Sequence, residues 1–155
     1  QSKRMDINLI IRKAEKKDRK RVIEMAKNFY SVAGYDPHIP FDDETACELF
    51  ECCMNMGLCY VAEEDEVVGF VLGVAAPSIM NKNYLIGSEL AWWVEPEHRG
   101  KVGIKLLKHI EQSAEEIGLK IWSMMALESQ NPESVEKIYL NSGYKKTETT
   151  YSRFN

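Results

Sequence analysis

The sequence predicts an α/β domain with a mixed central sheet flanked by helices. Three observations predict it. Four stretches repeat apolar residues at three- and four-residue steps, as amphipathic helices do. Other stretches carry the two-residue period of strands, or are apolar on both parities. The strand-like stretches come first singly, then three in a row, then alternate with helical ones, giving the order βααβββαβαβ.

Each element has its own warrant. Ile7, Leu9 and Ile11 alternate with polar residues and predict the first strand. Val22, Ile23, Ala26, Phe29, Tyr30 and Ala33 trace a helix stopped by Gly34. "YDPHIP" is a loop. Ala46, Leu49, Phe50 and Cys53 mark a second helix, begun near Asp42 and stopped by Gly57. "LCYVAEEDEVVGFVLGVA" reads as two strands joined by a tight acidic turn from Glu63 to Glu66. "YLIGSELAWWV" is apolar on both parities, as a strand covered on both faces is. From Gly103, Leu106, Leu107, Ile110, Ala114 and Ile117 form a helical stripe closed by Gly118. "KIWSMMAL" is a strand. Asn131-Pro132 has the form of an N-cap and a first-turn proline, Val135, Ile138 and Tyr139 share a helix face, and Gly143 ends that helix. "YKKTETTYSRF" closes the chain as a partly alternating strand.

The length of 155 residues suits one domain spanning 1–155, with no repeat, low-complexity tract or long linker. A net charge of −4 argues against nucleic acid as a partner and is compatible with a cationic one. The longest apolar run is far short of a membrane span, and no signal-peptide pattern opens the sequence. Cys47, Cys52, Cys53 and Cys59 include no CxxC pair and no neighbouring His at ligand spacing, so no metal is expected. Buried free thiols and a reducing cytoplasm are.

The most informative stretch is "VEPEHRGKVGIKLL", where a strand crosses into a helix. A helix N-terminus carries unpaired amides and about half a positive charge, and phosphate satisfies both. Gly100 and Gly103 let a ligand approach the backbone, and Arg99 and Lys101 add charge. Each charge-assisted bond is worth about 1.5–3 kcal/mol. The competing reading is a tight turn with solvated basic residues. Neither a Walker loop nor a GxGxxG fingerprint is present.

"WWVEPEHRGKVGIKLLKHIEQSAEEIG" resembles the acyl-CoA-binding motif of the GNAT superfamily of N-acyltransferases, in which a strand ending V-x-P-E-x-R-G leads through Q/R-x-x-G-x-G/A into a helix. "IIRKAEKKD" resembles that family's first strand and helix entry, and "NPESVEKIYLNSGYKK" its late helix. The wording around Trp92-Trp93 and "GIKLL" also resembles acetyltransferase-like proteins encoded by phages. The resemblance implies an acyl-CoA N-acyltransferase-like fold with a cleft between two diverging central strands. The pantetheine arm of acetyl-CoA, the co-substrate, would lie along the backbone of Trp92, Trp93 and Val94. Its pyrophosphate would rest on the amides of Arg99, Gly100, Lys101, Val102, Gly103 and Ile104. From Arg99 the family spacing expects glycine where Val102 stands, so the loop reads as one residue short.

Acyl transfer to a lysine-like amine, of pKa about 10.4, requires removal of a proton at a cost of about 4.6 kcal/mol at pH 7. A base must assist, and the leaving thiolate needs a proton. Tyr139 matches the family tyrosine that serves as that donor. Glu89 is the first candidate base: it shares parity with Ala91 and Trp93 in an apolar strand, where burial raises a carboxyl pKa. Glu128 is the second. His38 stands in the loop bordering the acceptor site, whereas His98 and His109 read as surface residues. Trp92 and Trp93 point to opposite faces, one against the helix of Leu106 and Leu107.

The expectation is therefore an N-acetyltransferase in which a small-molecule or protein amine attacks acetyl-CoA directly, without nucleic acid, membrane or metal, a homodimer being compatible. The alternative is a non-catalytic acyl-CoA-binding or protein-interaction domain of the same fold. A structural domain without ligand is the third reading.

Overall fold

A computed structural model describes residues 8–155. Ile7, the first residue of the opening alternation, lies outside them. The described elements are β1 (Ile10–Lys13), α1 (Arg19–Val32), α2 (Asp43–Asn55), β2 (Cys59–Glu63), β3 (Val67–Ser78), β4 (Asn81–Val94), α3 (Lys101–Ile117), β5 (Ile121–Ser123) and α4 (Pro132–Asn141). The strands form one sheet in the order β1-β2-β3-β4-β5. Neighbours from β1 to β4 are antiparallel, whereas β5 runs parallel to β4.

Local chemistry sets the boundaries. Asp42 caps α2, its carboxylate accepting from Thr45 N–H at 2.9 Å. The polar start of the chain is tied down as well. The Arg12 guanidinium donates to both Asp18 carboxylate oxygens at 2.7 and 2.9 Å, and its Nε donates to Glu63 at 3.1 Å. This fork joins β1 to the entry of α1 and to β2. Burial pushes the Asp18 carboxyl up, but the Arg12 and Glu15 hydrogen bonds outweigh it and hold the net pKa low.

Alternation along the strands builds a core on each face of the sheet. Val22 and Met25 of α1 and Phe50 and Cys53 of α2 pack with Val61, Phe70 and Trp93. Val102, Leu106 and Ile110 of α3 pack on the other face, with Tyr60, Val71, Val94 and Trp92. The two tryptophans thus divide as expected, Trp92 being the one that meets α3.

Several expectations are corrected. Residues 144–155 form no strand, although the order up to α4 holds. Residues 145–155 are exposed, and Tyr151 and Phe154 stand three apart, which gives no alternating face to bury. Instead Phe154 stacks on His38, ring centroids 3.9 Å apart. Only Ile121–Ser123 of "KIWSMMAL" pairs as a strand. Cys53 and Cys59 are buried as expected, but Cys52 is exposed and Cys47 only half-buried, because consecutive helical positions face different ways. Asn131 holds the N-cap position of α4 in a left-handed conformation (φ +45°) and its side chain makes no cap bond.

Candidate active site

β4 is paired on both edges only for part of its length. On the β3 side the ladder runs to Val94, opposite Gly69. On the β5 side it stops at Ser88, opposite Ser123. From Glu89 onward β4 and the chain after β5 part, leaving a cleft on that edge.

A β-bulge sits at this point. Leu72 pairs with Ala91 and Gly73 with Glu89, which leaves Leu90 as the extra residue. Leu90 and Ala91 both join the core on the α1/α2 face. The simple parity that groups Glu89 with Ala91 and Trp93 therefore does not carry across Leu90. Gly73 is needed here for space. A Cβ on it would lie 2.5 Å from both Ser88 O and the Trp122 ring.

Glu89 is 3% exposed. Its Oε1 accepts from the Met125 N–H at 3.0 Å, across the gap where the strands part. Burial pushes its carboxyl up from 4.5 to about 7, and the Met125 hydrogen bond only partly offsets this. Tyr139, on α4, donates its hydroxyl to the Met125 carbonyl at 2.5 Å. Burial, and then the Glu89 charge, push the Tyr139 hydroxyl pKa up, so it keeps its proton. The Tyr139 ring lies 6.0 Å from that of Trp92 and 5.4 Å from that of Tyr144. Glu89, Tyr139 and Trp92 are thus brought together from three separate stretches of sequence.

The cleft at Glu89 has a volume of about 60 Å³. Trp92 and Met125 line it beside Glu89, Phe29 and Tyr35 come from the end of α1 and the loop after it, and Leu127 and Val135 approach from the β5–α4 side. Sequence reasoning missed Met125, because its contribution is backbone. It also missed Phe29, since a residue on a helical stripe reads as core, and Tyr35, which stands in the loop after that helix. Gln130, whose side-chain nitrogen is buried without a hydrogen-bond partner among the described residues, also lines the cleft.

The loop before α3 lies at the other end of the unpaired edge. Gly100 is the N-cap of α3, with φ +119°, a conformation that favours glycine, and nothing stands within 4 Å of where its Cβ would be. Val102 turns into the core beside Leu106. Gly103, the next residue, faces the Trp92 ring, where a Cβ would make only ordinary contact at 3.5 Å. Val102 therefore fixes the phase of the helix. Lys101 opens the helix and Ile104 lies in its first turn. The open space at Gly100 and the first-turn amides fit a phosphate group.

The Arg99 side chain is used differently from the sequence expectation. Its Nε donates to Val94 O at 2.9 Å, and its guanidinium lies 4.7 Å from the centroid of Trp93, on the α1/α2 side. Trp93 in turn donates its Nε1–H to Glu95 at 3.1 Å. This stack holds the turn in place.

The remaining candidates, His38 among them, are not among the residues that line the cleft. Glu128 is exposed. His98 Nδ1 lies 3.0 Å from Glu64 Oε2, at the β2–β3 turn. His109 lies against the Tyr60 ring and its Nδ1 is 2.8 Å from Lys105 O. Among the described residues, no three His, Cys, Asp or Glu side chains group as a metal site. No helix of the described residues is long and apolar enough to cross a membrane.

A family model described as Acetyltransferase (GNAT) family matches residues 11–138. The fold is similar to that of the ribosomal-protein-alanine N-acetyltransferase from Brucella melitensis biovar Abortus 2308, at 20% identity and a TM-score of 0.70, covering 94% of this chain and 97% of that one. It is similar to a predicted acetyltransferase with acetyl-CoA from Clostridium acetobutylicum, at 20% identity and a TM-score of 0.72, covering 94% and 95%. An aminoglycoside acetyltransferase from an uncultured soil metagenomic sample, in complex with sisomicin, matches at 17% identity and a TM-score of 0.66, covering 97% of each chain. No curated protein matches the chain by sequence.

Proposed function

Because the chain belongs to the GNAT acetyltransferase family, we propose that it moves the acetyl group of acetyl-CoA to the nitrogen of a primary amine, by direct attack of that amine. One observation carries the reading: the Glu89 carboxylate accepts from the N–H, and the Tyr139 hydroxyl donates to the carbonyl, of the same residue, Met125, where β4 and β5 part.

When bound, acetyl-CoA supplies an acetyl group activated as a thioester. The chain's own groups do the rest. The first-turn amides of α3, opened by Gly100, take the pyrophosphate, and the unpaired edge of β4 from Trp92 to Val94 takes the pantetheine arm. Glu89, with a pKa of about 7, is a base matched to neutral pH, and it accepts one proton from the acceptor ammonium. The amine nitrogen then bonds to the acetyl carbon, and the carbon–sulfur bond breaks. Tyr139 gives its hydroxyl proton to the departing thiolate and is restored by the second proton leaving nitrogen. The net release is one proton, which Glu89 returns to solvent.

The reaction is tested by following free CoA thiol with acetyl-CoA and a panel of primary amines, with calorimetry of CoA binding alongside. Amine-dependent thiol release supports the reading. The short loop at Gly100 motivates the rival, a non-catalytic acyl-CoA-binding or protein-interaction domain. CoA binding without thiol release from any amine favours it.

A further inference from the structure

The walls of the Glu89 cleft bear on which amine enters, an inference that rests on the transfer reading above. The cleft is small, about 60 Å³, and the rings of Phe29 and Tyr35 and the aliphatic side chains of Leu127 and Val135 line it. Trp92 lines it as well, with Glu89. Among the described residues that line it, Glu89 is the one charged group, and no lysine or arginine faces the space.

Two physical consequences follow. Aromatic faces and a carboxylate attract an ammonium group. A carboxylate on the carbon bearing the nitrogen would instead be carried into an apolar space beside Glu89, with no cation to pair it. A branch on that carbon must also fit between the walls while the nitrogen still reaches Glu89, and close-packed side chains leave little room to yield.

We infer that the acceptor is an unbranched aliphatic primary amine, which enters –CH2–NH3+ end first, and that the site excludes amines with a branch or a carboxylate on the carbon bearing nitrogen. Its class is that of a lysine side chain or an alkyl diamine, as opposed to an α-amino acid, a chain N-terminus or an amino sugar.

Pairs of isomers test this with the full chain. n-Butylamine and sec-butylamine differ only in the branch. 6-Aminohexanoate and norleucine place the same atoms with the carboxylate far from the amine or beside it. The expected result is a kcat/KM at least tenfold higher for the unbranched member of each pair. Leu127→Ala, which widens one wall, should bring the butylamine ratio down at least threefold with the KM for acetyl-CoA unchanged. Equal turnover within either pair of isomers, with thiol release from both members, overturns the inference and leaves the transfer reading intact. An unaltered butylamine ratio in a folded Leu127→Ala protein also overturns it. CoA binding without thiol release from any of the four amines overturns the transfer reading, and this inference with it.

Discussion

Glu89 and Tyr139 are linked through a single residue: the Glu89 carboxylate accepts from the Met125 N–H at 3.0 Å, and the Tyr139 hydroxyl donates to the Met125 carbonyl at 2.5 Å. The peptide backbone at Met125 is free to bridge them because β5 has stopped pairing at Ser123. The same divergence that opens the cleft thus supplies the two backbone groups that hold the Glu89 carboxyl and the Tyr139 hydroxyl.

Glu89→Gln keeps the shape and removes the proposed base. Turnover should fall by about 10²–10⁴-fold, the range of a positioned acid–base group, while CoA affinity stays within about threefold. In the wild-type protein kcat/KM should rise with pH through about 7, because the proposed reaction uses the ionised form of Glu89. A Gln variant that keeps that limb assigns it to another group.

The same carboxyl makes stability depend on pH. Glu89 holds its proton to about pH 7 in the fold, against an ordinary value of 4.5. Its folded pKa is raised, so its contribution is fully present below about 4.5 and is lost as pH rises through about 7. Ionisation in place costs on the order of 3 kcal/mol. Glu89→Gln should therefore gain stability relative to wild type between pH 5 and pH 8.5, measured by urea midpoints. Parallel pH curves for the two proteins would falsify this account.

Tyr139→Phe removes the proposed proton donor and its bond to the Met125 carbonyl. Turnover should drop by about 10²-fold, the lower end of the range of a positioned acid–base group, with little change in CoA binding. The loss should be largest with poor leaving thiols, so acyl thioesters of different thiol pKa provide the check. Unchanged turnover removes Tyr139 from the chemistry.

Gly100 has φ +119° and open space around it. Gly100→Ala meets no clash yet must adopt a conformation that L residues rarely take, at a cost of about 1–2 kcal/mol. The first turn of α3 should shift to relieve it. The KM for acetyl-CoA should rise by about tenfold, with a smaller effect on the acceptor KM. Gly103→Ala, whose Cβ makes only ordinary contact with Trp92, should perturb stability less.

Phe154 stacks on His38, in the loop that leads from α1 to α2. An aromatic pair of this kind is worth about 0.5–1.5 kcal/mol. Phe154→Ala should lower the melting temperature by a few degrees and raise proteolysis at that loop. Identical proteolysis rates would mean that the tail does not hold the loop.

Much of the fold was legible in the sequence because burial repeats with the period of each element. The stripe from Leu106 to Ala114, the glycine stops at Gly34, Gly57 and Gly118, and the acidic turn at Glu63–Glu66 are local signals, and each stands where they put it. The motif around Arg99 and Gly100 also marked the loop that opens α3. The closing strand was misread because alternation in "YKKTETTYSRF" states a capacity to pair, whereas pairing needs a partner and an apolar face.

What the sequence alone determined is the set of elements, their order, and the residue types at the strand-to-helix crossing. Tertiary structure decided the rest: that Leu90 is the extra residue of a bulge, that Arg99 lies on Trp93, and that Glu89 and Tyr139 meet at Met125. The physical reason is range. Periodicity and capping act over a few residues, but a carboxyl's proton affinity and a cleft's width depend on groups that only folding brings within a few ångströms.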